Sequence, residues 1–268
     1  MTGVRPWILS AGIFHRVRRR FGLQYCPLCL GETGQYARSW RLSFVLACPV
    51  HRIWLRDDCP KCHSMVMPHR TRSRSTECHR CRSELSKSQP EFVMDELLES
   101  QLALQETLHR TISVGYLAIG PEQVSAVDAF QGLGILLRVF KDCARWKGRW
   151  PLPETKLVGY AGTQNELSRI KDRIQHSQLL GILLGDWPQA FIQLGNQVSM
   201  VQLDLLRHRR IPKWVLDAAD ALAPGVPRFR RKPIRQTWGQ ELLRLQRERA
   251  PGWRTKRAEL LMLKARNQ

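Results

Sequence analysis

"CPVHRIWLRDDCPKC" (residues 48–62) gathers Cys48, His51, Cys59 and Cys62 into fifteen positions, with two residues inside each pair. That spacing lets two ligands on one tight turn take adjacent corners of a tetrahedron around a metal ion without straining the backbone. Each such knuckle supplies half a site. Working outward, Cys26 with Cys29 and Cys78 with Cys81 repeat the spacing, so seven of the eight cysteines and His51 make four knuckles, or two complete sites. Paired in chain order, Cys26, Cys29, Cys48 and His51 form one set and Cys59, Cys62, Cys78 and Cys81 the other, the latter in a C-x2-C-x15-C-x2-C pattern typical of zinc. A cross-braced pairing uses the same ligands, and the spacing leaves both open. Either way all four positions on each metal are filled. A hydrolytic zinc keeps one for water, so two structural zinc ions are expected rather than a catalytic one. Cys143, within an apolar helical stretch, reads as an inert core thiol. His63, His69 and His79 read as exposed polar or basic-surface residues, with substitute metal ligands as the alternative.

The chain carries 43 Lys and Arg against 23 Asp and Glu, a formal charge of +20 in 268 residues. Such a surface repels itself unless a polyanion neutralises it, and nucleic acid is the expected partner, DNA first and RNA second. No run approaches the roughly 20 apolar residues of a membrane-spanning helix, and the start has no cleavage pattern for secretion. The chain reads as cytoplasmic, where paired cysteines bind metal more often than they form disulfides, and no membrane partner is expected. Acidic residues are few, and Asp57–Asp58, the one adjacent aspartate pair, lies inside the cysteine-rich segment. There is no Gly-rich phosphate loop. The composition therefore argues against an enzyme.

Basic and aromatic residues surround the knuckles. "YARSWR" (36–41) lies between the first two, with Tyr36 and Trp40 read as packing against the metal sites. In "HRTRSRS" (69–75), Arg70, Arg72 and Arg74 alternate, so an extended arm would align all three along a phosphate backbone. Residues 207–268 hold 17 Lys and Arg against 5 Asp and Glu. Candidate phosphate contacts there are Arg207, Arg209 and Arg210, then Arg228, Arg230, Arg231, Lys232 and Arg235 in "RFRRKPIRQTW" (228–238), where aromatics interleave with cations. Beyond it, "QELLRLQRERAPGWRTKRAELLMLKAR" has helical periodicity on both sides of a Pro-Gly break.

Residues 21–82 resemble the TniQ family of transposition target-selection proteins. The resemblance is carried by "CPLCL", then Tyr36, Arg38, Trp40 and Arg41, then "CPVH" followed by Leu55, then "CPKC" and a closing "CHRC". "GDWPQAFIQL" (185–194) looks like the Trp-Pro segment of the family's helical half, and "RPWIL" like a remnant of its apolar, proline-containing start. The resemblance implies a non-enzymatic adaptor of Tn7-like and mercury-resistance-type bacterial transposons. Such adaptors mark target DNA, directly or through an RNA-guided complex, and engage an AAA+ ATPase that brings in the transposase. It also implies structural zinc sites and favours pairing in chain order. A zinc-containing transcriptional regulator or an RNA-binding protein is the alternative.

After Cys81, "SELSKSQPEF" (83–92) reads as a linker. Residues 92–110 place Leu97, Leu98, Leu102 and Leu108 at amphipathic helical spacing. Pro121 reads as the first residue of a helix through Trp146, Asn165 as the cap of a helix over 166–184, and Asp186 as the cap of the Trp187–Pro188 helix. "DWPQAFIQL" and "VSMVQLDLL", separated by "GNQ", have the cadence of a helix-turn-helix. The expected fold is therefore mainly α, with a small N-terminal double zinc-finger (zinc-ribbon or knuckle) region and a helical bundle carrying a helix-turn-helix candidate. The expected division is 1–82 tandem zinc-binding domain, 83–206 helical domain and 207–268 basic tail.

Overall fold

Helix α2 (Glu96–Val114) turns Leu98, Gln101, Leu104, Gln105, Leu108 and Thr111 inward, a three-and-four spacing that makes one continuous stripe. The computed structural model describes residues 7–9, 23–71, 74–90, 96–152, 165–208 and 210–225. All belong to Met1–Gly225, which packs as one unit. Upstream of α2 lie α1 (Pro27–Thr33) and a two-stranded ribbon, β1 (Ala47–Cys48) antiparallel to β2 (Ile53–Trp54). Downstream follow a hairpin of β3 (Tyr116–Ile119) and β4 (Glu122–Ser125), then α3 (Ala126–Lys147), α4 (Ile170–Gly185), α5 (Gln189–Gln197), α6 (Gln202–Leu206) and α7 (Lys213–Ala219). The fold is thus mainly helical, with two Cys/His clusters near its amino terminus. No described helix is long and apolar enough to cross a membrane.

One apolar core runs through both parts. Phe44, Leu46 and Ile53 of the cysteine-rich segment join Leu108, Leu133, Phe140 and Phe191 of the helices. Packing therefore does not break at residue 82. Nor does it break at 207, because Trp214 and Val215 of α7 are buried, with Trp214 edge-on to Trp187.

Several expectations are corrected. Pro121 does not open a helix. It follows Gly120 (φ 56°) in the turn between β3 and β4, and Leu117, Ile119 and Val124 face inward from the hairpin. Helix α3 starts instead at Ala126, where the Ser125 hydroxyl accepts from the Asp128 N–H at 3.2 Å. Asn165 does not cap α4, which begins at Ile170 with no side-chain cap. Its amide carbonyl accepts from His176 Nδ1 at 2.8 Å. Asp186 contributes its main-chain carbonyl, which accepts from the Ala190 N–H at 2.7 Å, rather than its carboxylate. Residues 83–90 are not a loose linker. Leu85 and Ser88 are buried, and the turn Leu85–Lys87 packs on α1.

"RPWIL" also does more than its length suggests. Trp7 is buried, its Nε1 donates to the Phe130 carbonyl at 3.0 Å, and its ring meets Phe130 edge-on. Ile8 bridges Leu42, which ties the chain's start to both α3 and the cysteine-rich segment. In the helix-turn-helix candidate, α5 and α6 follow in the expected order, but α6 has only five residues and its Leu205 is buried. Lys147, at the end of α3, holds this region through bonds to Asp204 Oδ2 at 2.7 Å and the Ser199 carbonyl at 2.5 Å.

Candidate metal centres

Three knuckles share one turn. The residue after the second ligand is left-handed in each: Arg52 (φ 51°), His63 (φ 53°) and Arg82 (φ 58°). Its N–H donates back to the carbonyl of the first cysteine, at 2.9 Å to Cys48, 2.8 Å to Cys59 and 2.9 Å to Cys78. A non-glycine residue resists this conformation, and here the closing hydrogen bond offsets the cost. The chain then returns alongside itself, as β2 after Cys48 and His51 and as the Asp58–Met65 and Glu77–Glu84 bridges at the later knuckles. The Cys26–Cys29 knuckle differs, and not through its proline, which suits a first helical position but also follows the first ligand as Pro49 and Pro60 in two of the turns. It continues as α1, with Cys26 Sγ capping the Cys29 N–H and Gly34 (φ 66°) ending the helix.

These turns bring the ligands together in chain order. Cys26, Cys29, Cys48 and His51 form one cluster and Cys59, Cys62, Cys78 and Cys81 the other, with all ligand atoms in each within 4.8 Å of one another. In the first, His51 Nδ1 lies 3.6, 3.2 and 3.6 Å from the Sγ atoms of Cys26, Cys29 and Cys48. In the second, Cys59–Cys81 and Cys62–Cys78 each stand 3.6 Å apart. A tetrahedral ion with metal–sulfur bonds of ~2.3 Å needs edges of roughly 3.5–3.8 Å, whereas a disulfide needs about 2 Å. Both sets therefore fit a closed four-coordinate ion, and all eight cysteines are unbridged.

The surroundings favour thiolates at particular corners. The neighbouring Cys26 thiol, with help from the His51 N–H and ring against desolvation, draws Cys48 down to about 4. Burial opposes ionisation of Cys78, but the Cys81 N–H and the Ser64 hydroxyl outweigh it and bring that thiol to about 6. Ser64 Oγ lies 3.1 Å from Cys62 Sγ and 3.2 Å from Cys78 Sγ, so one hydroxyl serves two ligands. Cys143 is buried on α3, and burial pushes its thiol up to about 11, away from thiolate chemistry.

Trp40 is buried and meets Tyr36 edge-on, with centroids 5.9 Å apart. His63 and His69 are exposed, and His79 is half-buried. Of the expected phosphate contacts, Arg70, Arg74, Arg207 and Arg210 are exposed. Arg70 sits in the 3-10 turn Pro68–Arg70, not in an extended arm, because Pro68 starts a turn that the Thr71 N–H and hydroxyl close onto its carbonyl. Arg207 is 3.9 Å from Asp204. Arg72, Arg209, Arg228, Arg230, Arg231, Lys232 and Arg235 lie outside the described residues, as do the periodic segments of the tail.

A buried polar network that sequence reading missed joins the metal segment to α4. Arg173, wholly buried, donates through Nη1 to Gln24 Oε1 at 2.8 Å and the Ser43 carbonyl at 3.1 Å, and through Nε to the Ser168 carbonyl at 3.3 Å. Its Nη2 stands 3.8 Å from Asp57 Oδ2, which accepts the Ile170 N–H at 2.8 Å. From α2, Gln105 Oε1 accepts the N–H groups of Leu46 and Ala47, each at 2.9 Å. Gln24 and Asp57 each stand two residues before a knuckle's first cysteine, so this network fixes where the knuckles begin.

No curated protein and no solved structure matches the chain. Residues 2–55 match the TniQ family model, about a fifth of the chain, so the amino-terminal stretch that holds Trp7–Leu9 and all four residues of the first cluster is similar to that family.

Proposed function

We propose that the protein is a non-enzymatic adaptor in bacterial DNA transposition, held in shape by two structural zinc ions and recruited to DNA through its basic surface. The observation that carries this reading is the TniQ match across the first cluster, whose four donor atoms lie within 4.8 Å of one another. Zinc suits the sets, three thiolates with one imidazole and four thiolates, better than a hard cation would. With no coordination position left for water, each ion would supply folding energy to a segment rich in polar residues rather than a reactive hydroxide. The phosphate-facing cations in this proposal are Arg70, Arg72, Arg74, Arg207, Arg209 and Arg210, together with Arg228, Arg230, Arg231, Lys232 and Arg235. An AAA+ ATPase and the transposase are the protein partners, and DNA is reached directly or through an RNA-guided complex in the cytoplasm. The proposed division of labour is zinc-binding residues 1–82, a helical body over 83–206 and a basic segment over 207–268 whose first helix, α7, packs into that body's core.

The test combines metal analysis with footprinting. Elemental analysis of the full chain should find two zinc ions. Footprinting on candidate attachment-site and random DNA, with and without an AAA+ ATPase of such a transposon, should show protection that the ATPase extends. Affinity should fall with salt by about 0.9 log units per log unit for each phosphate neutralised. A salt-independent response to both DNA and RNA refutes nucleic-acid recruitment, and one zinc ion per chain or none refutes the two-site scaffold.

A further inference from the structure

We infer that Glu32 is a positioning residue of the first metal centre, holding the His51 ring so that its Nδ1 lone pair faces the three thiols. The inference rests on the metal reading above. Glu32 Oε1 lies 2.9 Å from His51 Nε2. An ionised carboxylate only accepts hydrogen bonds, so Nε2 carries the ring proton. A neutral ring protonated there has its free lone pair on Nδ1, the atom 3.2–3.6 Å from the Sγ atoms of Cys26, Cys29 and Cys48. One bond thus sets both the tautomer and the ring orientation, as carboxylates behind metal-bound imidazoles do elsewhere.

Local structure explains why Glu32 can do this. The first knuckle alone runs on as a helix, and residues three apart on a helix share a face. Cys29 and Glu32 therefore rise from α1 on the same side, the ligand facing the centre and the carboxylate reaching over the ring from outside. The His51 side chain is 15% exposed and that of Glu32 61%, so the pair sits at the rim, where water competes. The effect belongs at the lower end of the 10–100-fold range for such partners, about 10-fold in metal affinity. The second centre has no imidazole and uses the Ser64 hydroxyl, so it serves as an internal control.

The experiment uses the full chain and zinc itself. Competition against a chelator should show Glu32→Ala binding the first ion about 10-fold more weakly and the second unchanged. Glu32→Gln keeps an oxygen acceptor and should recover most of the loss. Ring-nitrogen NMR of the zinc-loaded chain should show the His51 Nε2 proton exchanging faster in Glu32→Ala than in the parent. A parent that takes up two ions beside a Glu32→Ala variant with unchanged affinity and proton exchange overturns the role of Glu32 alone. A parent that takes up no ion at Cys26, Cys29, Cys48 and His51 overturns the metal reading with it.

Discussion

Replacing Arg173 with Met keeps much of the side-chain length and removes the charge with all its donors. Three acceptors lose their partner: Gln24 Oε1, the Ser43 carbonyl and the Ser168 carbonyl. Gln24 cannot turn away, because its Nε2 is held by the Leu42 and Val45 carbonyls at 2.9 and 2.5 Å. Asp57 keeps its bond from the Ile170 N–H but loses the opposing charge. Removing one member of a buried pair costs about 3–5 kcal/mol, and the orphaned acceptors are part of that loss rather than an addition to it. Urea unfolding of the zinc-loaded chain should therefore show a loss of about 4 kcal/mol at pH 7. Asp57→Asn on the same background should return part of it, since no buried charge is then stranded. Burial already holds the Asp57 carboxyl above its ordinary range, with Arg173 opposing, and without Arg173 it rises further. A carboxyl raised in the folded state takes up a proton more readily there than in the unfolded chain. Stability from this group is thus greatest at low pH and is lost as pH rises through the folded value. The deficit, measured against the parent at each pH, should shrink as pH falls through that value. A variant within about 1 kcal/mol of the parent at pH 7 refutes the network as the joint between the metal segment and α4.

Gln105→Met should cost about 2–4 kcal/mol in the same assay, because the Leu46 and Ala47 N–H groups are buried and lose their acceptor together. Gly132→Ala should destabilise by about 1–3 kcal/mol, read as a lowered urea midpoint, since the new methyl would stand 2.7 Å from Trp214 Cε2. His176 is held well below 6.5, first by burial and then by Lys141 and Arg173, so below pH 6.5 the unfolded chain binds a proton that the folded one refuses. The parent should lose stability as pH falls below 6.5, and His176→Gln should remove up to about 1.4 kcal/mol per pH unit of that slope. An unchanged slope would show that His176 does not carry this term.

The ligand sets were legible because metal chemistry writes itself into spacing. Two residues between donors is a local constraint, and nothing elsewhere in the chain needs to be known to read it. The four knuckles, the helical periodicity read over 92–110 and the apolar setting of Cys143 are of this kind. The β3–β4 hairpin was not legible. Its four-residue strands are too short for alternation to stand out, and a proline after a glycine is as good a helix start as a turn. The joint between the two parts was hidden for another reason. Gln24, Gln101, Gln105 and Arg173 are ordinary solvent-facing types, and only the approach of two segments distant in sequence turns them into buried connectors. Trp7 shows the same limit, because its partner Phe130 lies 123 positions away.

Because each cluster draws its ligands from neighbouring turns, the order of synthesis matters. Cys26 to His51, the donors of the first set, are made and emerge ahead of every donor of the second, which begins at Cys59. Under the two-ion proposal the amino-terminal set closes without waiting for the rest, whereas interleaved donors would delay both. Arg173, synthesised much later, then arrives at a surface that is already set.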